Sequence, residues 1–300
     1  MDGILNLNKP SGVTSFYSIA LVRRLSGERR VGHAGTLDPL ASGVQVIGIG
    51  KGTRALEFIY GTKIYRASIE LGVTTDTYDA DGVVLATSDP SGVTLENIKD
   101  ALKKFEGEVR QVPPAYSAIK QGGRRLYELA RAGTTVVAPP RTVTIHRIDI
   151  TGWATPLLDL EVECGRGTYI RSIAHDLGQS LGCGGHLKGL QRSKDGPFCL
   201  SDSVSLSELP ERVERDGWRS ILMSVDAAMQ SLRPVVVGDE YVAVISNGGM
   251  LPVEHLELSE EPADGELFRV YSREGVLLAV SHYRSSDSAL KPRKVFAAIS

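Results

Sequence analysis

The sequence predicts an α+β protein with a mixed or antiparallel sheet, and three observations carry that prediction. Alternating apolar strands and amphipathic helices follow one another without the regular strand–helix–strand spacing of a parallel α/β fold. The 300-residue length exceeds a typical single domain of about 100–200 residues and calls for one large domain with a small companion. An apolar share of 42% with 23% charged residues is an ordinary globular composition with enough material for a core.

Residues 3–7 read as a strand, and Thr14 or Ser15 caps a helix with Phe16, Ile19 and Ala20 on one face. From Gly27 to Gly43 the chain loses periodicity and gathers Gly32, Gly35, Pro39 and Gly43, a loop long enough to imply a function. A strand resumes at Val44. It is followed by a helix near 53–60, an alternating strand from Tyr65 to Leu71, and a helix capped by Thr94 that carries Leu95, Ile98, Leu102 and Phe105. Apolar alternation gives strands at 143–150 and 157–163. Ile170, Ile173, Ala174 and Leu177 then mark one helical face at i, i+3, i+4 and i+7. A weaker helical segment near 218–230 leads to Leu232-Arg-Pro-Val, which sets the boundary between a domain over 1–230 and a small β-rich domain over 233–300. In the latter, 267–271 and 276–280 flank Ser-Arg-Glu-Gly as a hairpin, and 295–299 offers another strand to close a small barrel.

Several chemistries are excluded. No stretch reaches the roughly 18 apolar residues of a membrane span, and the N-terminal residues lack the basic and apolar regions of a secretory signal, so a cytoplasmic protein is expected. Cys164, Cys183 and Cys199 are too few and too scattered for a disulfide framework or a zinc site and read as reduced structural thiols. Gly48-Ile-Gly50-Lys-Gly52 fails the dinucleotide pattern because Thr53 stands where a glycine is needed, and fails the phosphate-loop pattern because no Ser or Thr follows Lys51 directly. Asp76-Thr-Tyr-Asp79-Ala-Asp81-Gly82 lacks the spacing of a calcium loop and, taken alone, is a polar turn. Neither a Glu-flanked His pair nor a serine-hydrolase elbow is present, so neither metal nor cofactor is expected.

The 34 basic residues against 36 acidic ones hide a segregation. Arg23, Arg24, Arg29 and Arg30 cluster, as do Lys120, Arg124, Arg125 and Arg131, and Lys188, Arg192 and Lys194, whereas the acids crowd 254–266. Basic runs are most often solvated faces, yet these also suit a nucleic-acid backbone.

In the long loop, Gly32-His-Ala-Gly-Thr-Leu-Asp38-Pro-Leu-Ala-Ser-Gly43 holds one carboxylate among small residues. Local chemistry alone makes Asp before Pro a turn. The segment closely resembles the catalytic-loop motif of the TruB family, the bacterial tRNA pseudouridine(55) synthases. The resemblance continues in family order through Lys9-Pro10-Ser-Gly-Val-Thr-Ser, Lys63-Ile-Tyr65 with Leu71-Gly72, and Asp76-Thr-Tyr-Asp-Ala-Asp-Gly. It goes on through Pro113-Pro-Ala-Tyr116-Ser-Ala-Ile-Lys120, Gly165-Arg-Gly-Thr-Tyr169-Ile-Arg171-Ser, and Leu181-Gly-Cys-Gly-Gly-His186 to Leu190, covering residues 3–200. The final 68 residues are similar to a small PUA-type RNA-binding module only loosely.

What the resemblance implies is specific. The fold would be a pseudouridine-synthase-type catalytic domain with a PUA-like C-terminal domain. The reaction would be isomerisation of uridine 55 in the T-loop of tRNA after base flipping, needing no cofactor. The partner would be the T-arm stem-loop, and the acting form is expected to be a monomer. Asp38 takes the place of the catalytic aspartate, which either adds to ribose C1′ or removes the C2′ proton to give a glycal. Arg171 matches the arginine that pairs with it and is expected to lower its pKa. Tyr65 matches the stacking residue, with a phenol available for proton transfer at C5, and His33 the histidine that fills the vacated stack. Leu190 lines up near the base and Tyr169 with the substrate-binding set, while Lys9, Lys63 and Lys120 are phosphate or support contacts. The principal rival reading is a non-catalytic tRNA-binding or folding protein of the same fold, and a cofactor-using oxidoreductase is a distant third.

Overall fold

The computed structural model describes residues 1–117, 120–121, 123–126, 138–256, 258 and 260–297. The side chains of Lys120, Arg124 and Arg125, and Arg131 altogether, lie outside the described residues.

One mixed sheet organises the first two thirds of the chain. Its main path runs Val204–Ser205, Gly3–Lys9, Ala41–Ile49, Gly185–Asp195, Lys63–Leu71, Leu157–Cys164, Arg141–Ala154 and Gly107–Gln111. Val31–His33 pairs beside Ala41–Ile49, and Phe198–Cys199 beside Gly185–Asp195. Two pairings are parallel, Gly3–Lys9 with Val204–Ser205 and Ala41–Ile49 with Gly185–Asp195. The remaining neighbours in the path run antiparallel. The second parallel pair needs close backbone approach: Gly43 has φ +102°, and a Cβ there would lie 2.2 Å from the Arg192 carbonyl oxygen.

Burial follows the period-2 pattern of the strands. In Lys63–Leu71 the side chains of Tyr65, Ala67, Ile69 and Leu71 enter one core with Ile170, Ile173, Ala174 and Leu177 of the helix Ile170–Ser180. Gly3–Lys9 is buried almost continuously because both its faces are covered. Ile4 packs with Val44, Val46 and Phe58, whereas Leu5 and Leu7 pack with Ile19, Val22, Ile47 and Ile49.

The helix Ser15–Ser26 begins where predicted, with the Thr14 hydroxyl accepting from the Tyr17 amide, and ends at Gly27 in the left-handed region. Its buried face differs from the predicted one. Phe16 is 70% exposed and Ala20 is exposed, while Ser15, Ser18, Ile19 and Val22 face inward. The reason is that Ser15 hydrogen-bonds to the backbone of Leu37 and so turns a polar residue toward the sheet. The predicted helix near 53–60 is one α-turn, Gly52–Ala55, continued by a 3₁₀ turn, Leu56–Phe58. The segment near 218–230 is likewise broken, into Trp218–Ile221 and the 3₁₀ turn Val225–Met229. Thr94 caps Leu95–Leu102 through a full capping box with Asn97.

A second, five-stranded sheet occupies the C-terminal part, in the order Arg233–Val237, Leu267–Ser272, Leu277–Arg284, Ala289–Val295, Leu251–Pro252. It has its own core, with Val235, Ile245, Phe268 and Leu278. It also shares one with the larger sheet, where Val280 and Phe296 join Ile4, Val44 and Phe58. Arg293 pairs with Glu57 at 2.8 Å across this junction, and Arg54 donates to the Val295 carbonyl at 2.9 Å. Among the described residues no helix is long and apolar enough to cross a membrane.

Candidate active site

Asp38 lies on the glycine-rich loop between Val31–His33 and Ala41–Ile49, and the loop is held along its length. The Ser15 hydroxyl accepts from the Leu37 amide and donates to the Leu37 carbonyl, each at 2.8 Å. Gly12 donates to the Pro39 carbonyl at 2.8 Å, and Ala41 closes the turn on the Asp38 carbonyl at 3.0 Å. Ser15 and Gly12 from outside, and the Asp38–Ala41 turn from within, therefore fix the backbone of a segment that has almost no periodicity of its own. The Asp38 side chain remains about one third exposed, so a ligand can reach it.

Arg171 comes to Asp38 from the first turn of the helix Ile170–Ser180. That helix start is bolted to the sheet edge: Tyr169 and Gln111 exchange hydrogen bonds at 2.8 and 2.9 Å, and the Ser172 hydroxyl donates to the Val112 carbonyl. The Arg171 side chain is only 4% exposed. Its Nη2 donates to Asp38 Oδ1 at 3.1 Å, and its Nε lies 2.9 Å from Asp38 Oδ2 but off the line of a hydrogen bond. Nη2 also donates to the Tyr116 carbonyl at 3.0 Å. Nη1 donates to the Thr77 carbonyl at 3.1 Å and sits 3.3 Å from Asp79 Oδ2. An uncompensated buried guanidinium would cost several kcal/mol, on the order of the gain from burying two or three of the helix's apolar side chains. Two carboxylates and two carbonyls provide the compensation and hold the fork in one direction.

The predicted pKa shift of Asp38 is reversed. Burial pushes its carboxyl above the ordinary value, Arg171 opposes this and Asp79 adds to it as a like charge, with Lys9 opposing more weakly. One cation does not offset desolvation together with a second nearby carboxylate.

Lys9 is fully buried and donates to the carbonyls of Pro10 at 2.9 Å and Val13 at 2.7 Å. It supports the Lys-Pro loop from inside the protein and does not face a phosphate. Burial holds its pKa down at about 8, against the pull of Asp38. Lys63 is paired with Asp195, and burial lowers its pKa as well.

Arg192 forms a second buried centre, 1% exposed. Its Nε donates to the Val44 carbonyl at 2.7 Å, its Nη2 to the Gly35 carbonyl at 3.1 Å, and its Nη1 lies 3.7 Å from Asp195 Oδ2. It thus ties the Asp38 loop to the sheet. Tyr65 is buried against it, and its phenol is pushed up to about 12, chiefly by burial. That phenol is protonated at neutral pH and is a poor proton acceptor. His33 is half-buried, with its pKa lowered by burial and then by Arg192, so its ring is neutral. Leu190 sits opposite Ala41 in the parallel pairing and opposite Ala67 in the antiparallel one, packed against the same core as Tyr65. The Tyr169 ring lies under the Arg141 guanidinium at 4.6 Å.

The structure therefore brings Asp38 and Arg171 into contact and gathers Tyr65 and Lys63 around Arg192 and Asp195. Three participants escaped the sequence reading. Asp79 stood in a motif read locally as a polar turn, Arg192 in a run read as a solvated face, and Asp195 in no pattern at all. Among the described residues no group of three or more His, Cys, Asp or Glu could hold a metal ion.

The architecture is shared with solved structures over nearly the whole chain. A Cbf5–Nop10–Gar1 complex superposes with a TM-score of 0.77 at 27% identity, covering 98% of this chain and 85% of that one. An H/ACA RNP bound to a substrate RNA containing 2′-deoxyuridine gives 0.76 at 25% identity, over 99% and 85%. Residues 23–170 match the TruB family pseudouridylate synthase N-terminal domain, and residues 171–235 the tRNA pseudouridylate synthase B C-terminal domain. The chain belongs to the TruB family. It is 42% identical to tRNA pseudouridine synthase B of Dehalococcoides mccartyi, over 99% of this chain and 97% of the other. It is 40% identical to the Clostridium kluyveri protein of the same name, over 99% and 100%.

Proposed function

We propose that this protein isomerises uridine 55 in the T-loop of tRNA to pseudouridine, in the cytoplasm, with Asp38 acting on the ribose. The observation that carries the reading is a partly exposed carboxylate aimed by a fully anchored buried guanidinium, in a chain whose relatives are tRNA pseudouridine synthases. The reaction breaks the bond from C1′ to N1, turns the uracil, and joins C1′ to C5; C5 gives up its proton to solvent and N1 takes one up. No atom is gained or lost overall, so no redox partner is called for. The target base must leave its stack, at a cost of a few kcal/mol, before Asp38 can reach the sugar. Tyr65 is the ring assigned to the uracil; it is buried beside Arg192, so the flipped base must displace what covers it to stack there, and its high pKa favours stacking and hydrogen bonding over proton abstraction. Leu190 borders the base, His33 fills the vacated stack, and Tyr169 contacts the RNA nearby. Lys9 and Lys63 hold the site's frame, while Lys120 meets phosphate. The domain over 1–230 carries the chemistry, and the PUA-like domain over 233–300 adds RNA contact.

The test is tritium release from C5-labelled uridine in an unmodified tRNA. Release of one label per tRNA, with pseudouridine appearing at position 55, is expected. Tight binding without release would overturn the reading in favour of a non-catalytic tRNA-folding protein, and release from another position would overturn the site assignment.

A further inference from the structure

Tyr78 has φ +63°, in the left-handed region that costs an L side chain roughly 1–2 kcal/mol and that glycine adopts freely. Such a backbone persists only where its surroundings impose it. Here they do. Tyr78 lies between the two residues that hold Arg171 on its far side from Asp38, the Thr77 carbonyl at 3.1 Å and the Asp79 carboxylate at 3.3 Å. The left-handed turn at Tyr78 lets the residues on either side of it present a backbone oxygen and a side-chain oxygen to one guanidinium. The backbone of this turn is pinned to the strand Gly185–Asp195, with the Leu187 amide donating to the Tyr78 carbonyl at 3.0 Å and Ala80 donating to the Leu187 carbonyl at 2.9 Å.

Glycine would satisfy that backbone, so the tyrosine ring calls for its own explanation. It stacks on His175, with centroids 3.8 Å apart and planes 12° apart. His175 is four residues after Arg171 on the same helix, hence on the same face one turn along. Its Nδ1 is buried with no hydrogen-bond partner among the described residues, so the ring serves through its face.

We propose that the Tyr78–His175 stack is a positioning device: it clamps the 76–82 turn to the helix that bears Arg171, and so fixes the direction in which Arg171 aims Asp38. This rests on the reading of Asp38 as the reacting carboxylate, and Tyr78 and His175 are positioning residues that act through Arg171. The stack links the turn to the helix, the turn holds one side of the guanidinium, and the other side holds Asp38.

The test compares Tyr78→Gly, Tyr78→Phe, His175→Ala and the double variant Tyr78→Gly/His175→Ala, all in the full chain. Tyr78→Gly removes the stack but suits the backbone, so it should fold. Two readouts are taken: the single-turnover rate with saturating unmodified T-arm stem-loop, and the titration of the Asp38 carboxyl by carbon NMR without RNA. Tyr78→Gly and His175→Ala should each lower the rate about tenfold, with the concentration for half-saturation little changed, since modest misplacement of a reacting group is costly. Both should raise the Asp38 pKa, because the guanidinium that draws it down is no longer held. The double variant should be no worse than either single one, the mark of two residues acting as a unit. Tyr78→Phe keeps the ring and should restore both readouts. An unchanged Asp38 titration in the glycine variant overturns the proposal, as does a phenylalanine variant as impaired as the glycine one. Weaker RNA binding with a wild-type saturating rate also overturns it, by making Tyr78 an RNA contact. A wild-type protein that releases no tritium refutes the proposed function, while the titration still decides the positioning claim.

Discussion

Replacing Arg171 by lysine keeps the positive charge and discards the fork, and the structure states what the fork does. Five contacts converge on it: Asp38 at 2.9 and 3.1 Å, the Tyr116 carbonyl at 3.0 Å, the Thr77 carbonyl at 3.1 Å and Asp79 at 3.3 Å. An ammonium on a flexible stem cannot reach all of these at once. A lysine that follows Asp38 leaves two carbonyls unmet inside the protein and Asp79 held only by the Thr77 hydroxyl and the Asp81 amide, and one that follows Asp79 leaves Asp38 unaimed. The first cost falls on stability. Each buried group left without a partner is worth about 1–3 kcal/mol, so the two carbonyls together destabilise the fold by about 2–6 kcal/mol. The sequence alone places Arg171 outside the apolar stripe and predicts little effect on folding. Its burial and its four partner residues reverse that expectation. The second cost falls on rate, where a misaimed carboxylate should lose about 100-fold. Single-turnover tritium release with enzyme and stem-loop at saturation measures the rate, and urea unfolding measures stability. A lysine variant that reacts at the wild-type rate would falsify the claim that the guanidinium aims Asp38. One that keeps wild-type stability would show that the buried contacts to Thr77, Asp79 and Tyr116 contribute nothing.

Three further outcomes are expected. Asp38→Asn should abolish turnover while tRNA affinity stays within a few fold, because phosphate contacts dominate binding; turnover comparable to wild type in that variant would remove Asp38 from the chemistry. The rate should fall on acidification with a midpoint above an ordinary carboxylate's, since the reacting form is ionised and burial raises the Asp38 pKa; a midpoint below about 4 would contradict that direction. Deleting 233–300 should weaken tRNA binding more than it slows the saturating single-turnover rate, and should also lower the unfolding midpoint, because Val280 and Phe296 leave the cluster around Phe58; a truncated protein as stable as the full chain would show that the shared core is not stabilising.

Much of the fold could be read from periodicity. The alternation from Tyr65 to Leu71 and the stripe Ile170, Ile173, Ala174 and Leu177 predict elements that the structure contains, because in both cases burial of one face decides the local conformation. Phe16 and Ala20 lie off the face that periodicity predicts because a hydrogen bond from Ser15 to a residue 22 positions away rotates the helix, and no local pattern records such a partner. The site shows the same division. Asp38 and Arg171 were visible through motifs, but the direction of the Asp38 pKa was not, since it depends on how deeply the carboxyl sits and on Asp79 beside it. In sequence Arg192 resembles any basic surface residue, and only the fold puts the Val44 and Gly35 carbonyls on its donors.

The first strand of the chain has a consequence for how the protein is made. Gly3–Lys9 lies between Ala41–Ile49 and Val204–Ser205, the Asn6 side chain donates to the Cys199 carbonyl, and Ile4 packs against Phe296. During synthesis this strand therefore leaves the ribosome long before one of its partners: it can pair on one edge once Ala41–Ile49 is out, but its other edge stays open until about 155 more residues have followed, at 5–20 residues per second an interval on the order of eight to thirty seconds. An unpaired strand of Ile4, Leu5 and Leu7 is a template for pairing with other chains in that interval. Newly made protein should thus be most prone to aggregate before residue 205 appears, and a chaperone that covers an extended apolar segment near the N-terminus should raise its yield more than one that acts after release.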